Sequence, residues 1–583
     1  MKIGSVFMRL TLKTPTIFIA LAVILTLLAA CGNQLPSNES PKPPETTRPS
    51  DDAAPVETLS GTYLTPNPVE MSLPIYGGTL AHAINGLRSL DAHQLVGYGP
   101  TATLPVFNQL VMFDISYKET VPETIIGDMA ERWETSPDGM EITFKLHRGV
   151  KWHDGVPFTA DDVIYSLEKM TNVNYSAISD WFPAYQNTDK IDEYTVKVHL
   201  KYPSAGFLLA LAQGESQIQS LHLSGTDPQS TAFAVGTGPF MLMEYLPQVH
   251  LKYKRNPDYW KNDKYGNQLP YMDNMTLYIL SNVAIHESII GRRLDLKGTV
   301  TGCATLDTYN YLKNGAPELL WQRRDRYNGY PIFINTRHKP LDDIRVRRAM
   351  VLVLKEDDLI IGFGGDVMFG LTDVGILHPA FGLPKEEVLK LTGWDKPFEE
   401  RVIEAQQLMA EAGYPNGFKL SMVTTGTSNQ AAGATLVFAD ALRKYLMIDV
   451  EVNTGMGTID LFKRVEEDTY DTFTWDLTIM DPVQLANYFA TGGYANWAKY
   501  TNPELDKMLT ELDYIIDPDK RRETIWAIDR ILLTDLPALP TGCFPPNFMP
   551  YYPHVKNLRW NYISYSNINR LEDVWIDESL RVK

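Results

Sequence analysis

Cysteine is scarce in this chain. The 583 residues include three: Cys31, Cys303 and Cys543. No Cys-x-x-Cys pair occurs, and no Cys/His cluster has zinc-finger spacing. Positive charge is short as well. There are 53 Lys and Arg against 71 Asp and Glu, a formal charge of -18. Phosphate backbones need a basic surface, so this balance argues against nucleic acid as a partner. Catalytic signatures are also missing. His286-Glu287 lacks the second histidine of a zinc-protease helix, and no Gly-x-Ser-x-Gly elbow is present. Gly236-Thr237-Gly238-Pro239-Phe240 is not followed by Gly-Lys-Ser/Thr, so it is no phosphate loop. His153-Asp154 sits in a turn. No catalytic residue, metal or cofactor is expected, and no internal repeat is visible.

What is present points to an exported globular protein. The chain is too long for one ordinary core, so two or more domains are expected. Residues 1–30 have the three parts of an export signal: Lys2, Arg9 and Lys13, then an uncharged apolar run, then Leu28-Ala29-Ala30 before Cys31-Gly32. The run is short for a span of about 20 residues. Small residues before a cysteine resemble a bacterial lipobox, which implies lipidation of Cys31 and cleavage before it. Acyl chains contribute about 0.8 kcal/mol per buried methylene, so two or three hold a protein stably. Residues 31–75 are rich in Pro, Ser, Thr and acidic residues and poor in apolar ones. They read as a disordered tether. Cys303 and Cys543 are then available for one disulfide in an oxidising compartment, a pairing that sequence does not decide.

The most informative stretch is Glu131 to Met170. Ser136-Pro137-Asp138-Gly139 reads as a turn. Ile142, Phe144 and Leu146 alternate with polar residues, the period of a half-buried strand. Thr159 stands as a helix N-cap with Asp162 three residues on, and Val163, Ile164 and Leu167 form the apolar stripe that follows. Val196, Val198 and Leu200 alternate as a further strand. Asp343, Asn502 and Asp517 are expected to cap helices, with Pro503 and Pro518 in first turns.

Gly149-Val150-Lys151-Trp152-His153-Asp154-Gly155 and Pro157-Phe158-Thr159-Ala160-Asp161-Asp162-Val163 resemble a signature of the extracellular solute-binding proteins of peptide, oligopeptide and nickel ABC importers. Gly236–Phe240, Arg255-Asn256-Pro257-Asp258-Tyr259-Trp260, Asn335-Thr336 with Asp343–Arg347, and Ala405–Gly417 are similar to further family elements in the same order. The resemblance spans about 76–580. It implies an α/β, two-lobed periplasmic-binding-protein fold of class II type, with an extra domain appended to the first lobe. The implied boundaries are 76–104, 236–329 and 541–583 for domain I, 105–235 for domain II and 330–540 for domain III.

The same resemblance implies a receptor, not an enzyme. It would capture a solute, expected to be a peptide, by hinge closure and deliver it to a membrane permease. The expected form is an extracytoplasmic monomer held to the bacterial membrane by its lipid anchor. The alternatives are a non-peptide solute (a glycan, opine or metal chelate), or an extracellular hydrolase or chaperone on the same fold. In peptide-binding members a Trp followed by an Asp receives the ligand's amino group. Here Trp475-Asp476-Leu477 occupies the strand slot and the following loop is shortened to Asp481-Pro482. Asp481 is therefore the candidate ligand carboxylate, the alternative being a loop-capping aspartate. Trp475, Asn496, Trp497 and Tyr98 are the other candidate cleft residues.

Overall fold

The computed structural model describes residues 56–57, 63–94, 99–297, 303–425, 429–479, 481–562 and 569–582. The export signal, Cys31 and Tyr98 lie outside the described residues. Among the described residues no helix is long and apolar enough to cross a membrane.

One lobe begins with Thr79–Ile84. This strand lies parallel to Asn274–Ile279, which continues antiparallel to His250–Arg255 and then to Phe240–Leu246. The chain between builds a second sheet in the order Ala130–Thr135, Glu141–Leu146, Thr195–Leu200, Tyr185–Asp192, antiparallel throughout. The alternation read from sequence decides its faces. Ile142, Phe144 and Leu146 are buried, and Ile142 faces Val198 while Phe144 faces Val196. Helix Ala160–Met170 covers this face with Val163, Leu167 and Met170. Its capping box joins Thr159 and Asp162 as expected. Both sheets share one core, since Leu80 and Met275 belong to the same cluster as Phe144 and Val198.

Two sequence motifs of this lobe bind each other. His153 donates its backbone N–H to Gly236 O at 2.8 Å and its Nδ1 accepts from Gly236 N at 3.1 Å. Nε2 therefore carries the proton and donates to Gly238 O at 3.0 Å. Burial pulls the imidazole pKa down to about 4, so it stays neutral. The glycines are required by close approach: a Cβ on Gly236 would lie 1.8 Å from Val106 O.

The other lobe is built on a five-stranded sheet in the order Asp449–Met456, Lys419–Thr425, Thr472–Thr474, Ile332–Ile334, Ala538–Leu539. Thr472–Thr474, Ile332–Ile334 and Ala538–Leu539 are buried because both faces are covered, whereas much of the edge strand Asp449–Met456 is exposed or half-buried. Ile332, Ile334, Leu420 and Met422 point into one core with helices Ile344–Leu352 and Asn429–Leu446. Phe333, Val423 and Phe473 point into another, with Ile528 and Leu532 of helix Pro518–Asp535. Asp343, Asn502 and Asp517 cap their helices. Arg347 braces the lobe from inside, donating to Asp535 O at 2.9 Å and Leu341 O at 2.6 Å.

Two crossings join the lobes, 325–331 and 540–546. They leave from a strand pair in which Leu320–Arg324 runs antiparallel to Asn547–Tyr551. They also bind each other: Tyr330 N–H donates to Cys543 O at 3.0 Å, and Thr541 Oγ1 to Tyr330 O at 2.9 Å.

The two cysteines do not form the disulfide considered from sequence. Both are free, buried thiols. Cys303 packs with Ile285, Ile289 and Leu312, whereas Cys543 packs in the separate core of Leu359, Ile360 and Phe363. Burial pushes Cys303 up to about 11 and Cys543 up to about 12, so neither is a thiolate at neutral pH.

Candidate functional site

The first crossing carries Arg326, Tyr327 and Asn328 past the end of strand Thr472–Thr474. Gly329 and Leu477 form a short antiparallel bridge there, with N–H···O distances of 3.2 and 2.7 Å. Side chains in extended backbone alternate, so Leu477 turns inward while Asp476 and Thr478 turn toward Asn328. Asn328 Nδ2 donates to Thr478 Oγ1 at 2.5 Å and lies 3.4 Å from both Asp476 oxygens. Burial raises the Asp476 carboxyl above the usual range, and the Arg326 guanidinium opposes that rise. Arg326 is half-buried, and its Nε has no hydrogen-bond partner. A buried donor without a partner is costly, so this N–H is poised to receive an acceptor.

Trp475 alternates to the inward face with Phe473 and Leu477 and is half-buried there. Its ring stacks on Phe473 at 5.7 Å and meets Phe462 edge-on at 5.1 Å. The site thus offers one carboxylate, one guanidinium and an amide where the first crossing passes the Asp476 segment. A few fixed polar groups of this kind are one part of what a small-solute site requires.

The other residues singled out from sequence are placed differently. Asp481 caps the turn Pro482–Gln484, accepting from Val483 N at 2.8 Å, and its carboxylate is ion-paired with Arg521. Asn496 Nδ2 donates to Ala490 O at 2.9 Å and Tyr500 O at 2.8 Å, while its Oδ1 accepts from Tyr500 N at 3.1 Å. Its amide is fully engaged in holding a loop. Trp497 is buried edge-on against Phe333 and Phe473, both at 5.1 Å. The structure gathers Asp476, not Asp481, with Asn328 and Arg326. Arg326, Asn328 and Asp476 were not identified as site residues from sequence, because the bridge that gathers them joins segments about 150 residues apart.

A second contact joins the lobes near the start of helix Gly206–Leu211. Asp513 Oδ1 accepts from Ser204 Oγ at 2.8 Å and Gly206 N at 3.1 Å, and Tyr202 meets Tyr514 with ring centroids 4.7 Å apart. Burial raises the Asp513 carboxyl, and the nearby Asp481 charge adds to that rise. Among the described residues no group of three or more His, Cys, Asp or Glu is placed to hold a metal.

Comparison with known proteins agrees with this architecture. The profile of the bacterial extracellular solute-binding proteins, family 5 (middle), matches residues 124–497, well over half the chain. The chain is 26% identical to heme-binding protein A of Haemophilus influenzae, over 77% of this chain and 84% of that protein. It is 24% identical to di/tripeptide-binding protein 3 of Pseudomonas aeruginosa, over 80% of this chain and 91% of that one. The solved structure of the ABC transporter-associated periplasmic binding protein DppA from Helicobacter pylori, in complex with the peptide STSA, superposes with a TM-score of 0.64. That likeness covers 86% of this chain and 99% of that one at 22% identity, and it gives the fold. With its two α/β lobes, paired crossings and matching sequence, the chain belongs to the bacterial extracellular solute-binding proteins of family 5 and is a binding receptor of the ABC-importer type, not an enzyme.

Proposed function

We propose that this receptor captures peptides between its lobes and presents them to a membrane permease. The observation that carries this reading is the juxtaposition of Asp476 and Arg326 on the crossing. A carboxylate receives an ammonium group, and a guanidinium with a free N–H receives a carboxylate or a peptide carbonyl. A zwitterionic chain supplies both. Binding pulls the lobes together about the 325–331 and 540–546 crossings, and closure is what the permease reads. The di/tripeptide-binding relative supports the solute class.

In this reading domain I comprises 76–104, 236–329 and 541–583, domain II 105–235 and domain III 330–540. The position of the two crossings supports these boundaries. The mature monomer starts at lipidated Cys31, which tethers it to the membrane. A non-peptide solute is the second reading, favoured by one observation: Asp481, the carboxylate nearest the shortened loop, is already ion-paired. Mass spectrometry of the solute that co-purifies with the mature protein tests both. Peptides are expected, and a homogeneous non-peptide species would overturn the proposal.

A further inference from the structure

The tether expected from sequence ends earlier than residue 75. Residues 64–67, Leu-Thr-Pro-Asn, lie extended along 115–119 and are bonded to it at every turn. Thr65 N–H donates to Glu119 Oε2 at 2.7 Å, and Thr65 O accepts from Lys118 N at 2.8 Å. Asn67 N–H donates to Ser116 O at 2.8 Å, and its Nδ2 reaches Ile115 O at 2.9 Å and Tyr117 O at 3.0 Å. Pro66, which has no N–H, sits at the bridge to Tyr117. Leu64 is 3% exposed. It belongs to the core cluster of Val121, Tyr327, Leu377, Phe381 and Phe333, which is the core of the opposite lobe and its crossing.

The edge it covers has one foot in each lobe. Val111 and Phe113, just before it, are in the first lobe's core, whereas Val121, just after it, is in the other. The next residue along, Thr120, donates its N–H to Tyr327 Oη at 2.8 Å. Tyr327 stands between Arg326 and Asn328 of the solute site.

We propose that residues 64–67 are a closure strap. They grip the 115–119 edge by backbone pairing and place Leu64 in the core shared by the far lobe and its crossing, so the contact spans both lobes and is strongest when they are together. Strap docking and solute binding then favour the same closed state and strengthen one another. This rests on the reading of the protein as a closing receptor. It goes beyond it by making the segment that follows the membrane tether part of the closing mechanism.

Hydrogen exchange on the whole mature chain, without solute, tests the strap by itself. In Leu64→Ala the amides of Thr65, Asn67 and Thr120 are expected to lose protection together, by about tenfold or more, while Val423 in the far sheet is unchanged. Loss at Thr65 and Asn67 with Thr120 unchanged would overturn the proposal, because the segment would then be only a surface cover. If Leu64→Ala does not fold, Asn67→Ala, which removes two side-chain bonds, gives the same readout. A mixture of di- to pentapeptides is the probe for coupling. Raised protection at Thr65 and Asn67 is expected, and lowered protection would mean that solute displaces the strap, which also overturns it. A mixture that leaves the melting temperature unmoved would defeat the peptide reading instead, with the solute-free measurement still deciding the strap.

Discussion

Asp481 and Arg521 form an ion pair in which each side chain is only 8% exposed. The pair ties the turn after the sheet to the first turn of helix Pro518–Asp535, and Asp481 Oδ2 lies 3.5 Å from the position a Cβ on Gly206 would take. Removing one partner of a buried pair strands the other charge. Arg521→Ala is expected to lower stability by about 3–5 kcal/mol. Chemical denaturation measures this, and a change below about 1 kcal/mol would show that the pair is hydrated in solution.

Asp476 is held more loosely, with Asn328 as a neighbour at 3.4 Å. Asp476→Asn keeps the shape and removes the charge. Peptides with a free amino group are expected to bind about tenfold more weakly to the variant, while N-acetylated peptides are unaffected. Calorimetric titration of the two peptide sets distinguishes this outcome from a general loss of folding.

Two buried acids make stability depend on pH through the neutral range. Burial raises Glu356 to about 8 and Asp529 to about 7, with backbone donors at Asp373 and Leu383 lowering them in part. An acid with a raised folded pKa binds its proton more tightly when folded. Its contribution is complete below the ordinary carboxylate range and is lost as pH rises through the folded value. The melting temperature is therefore expected to fall between about pH 6.5 and about pH 8 and to level off above that, and Glu356→Gln with Asp529→Asn to flatten that slope. The buried histidines His82, His93, His153 and His378, all depressed to about 4, act on the acid side instead. They leave this window untouched. A slope unchanged in the double variant would refute the assignment.

The free thiols give a direct chemical check. Native protein is expected to resist a maleimide reagent, since Cys303 and Cys543 are buried and protonated. After denaturation without reductant, both are expected to react. Uptake at neither would restore the disulfide considered from sequence.

Local grammar was legible in the sequence because its causes act over a few residues. The Thr159–Asp162 capping box spans three positions, the alternation of Ile142, Phe144 and Leu146 follows the pleat, and Asn502 and Asp517 cap helices that begin beside them. These features, in order, also fixed the family and the two-lobed fold. Tertiary structure alone decided which of two nearby carboxylates is locked in an ion pair. Asp481 and Asp476 look equivalent in sequence, five residues apart. Arg521 neutralises one from forty residues away, and Asn328 reaches the other from 148 residues away. Side-chain pairing at that range depends on how strands and crossings are brought together, and no periodicity encodes it. The same holds for Leu64: its segment has the composition of a tether, and only the edge at 115–119 and the apolar cluster beyond it make four of its residues a strap.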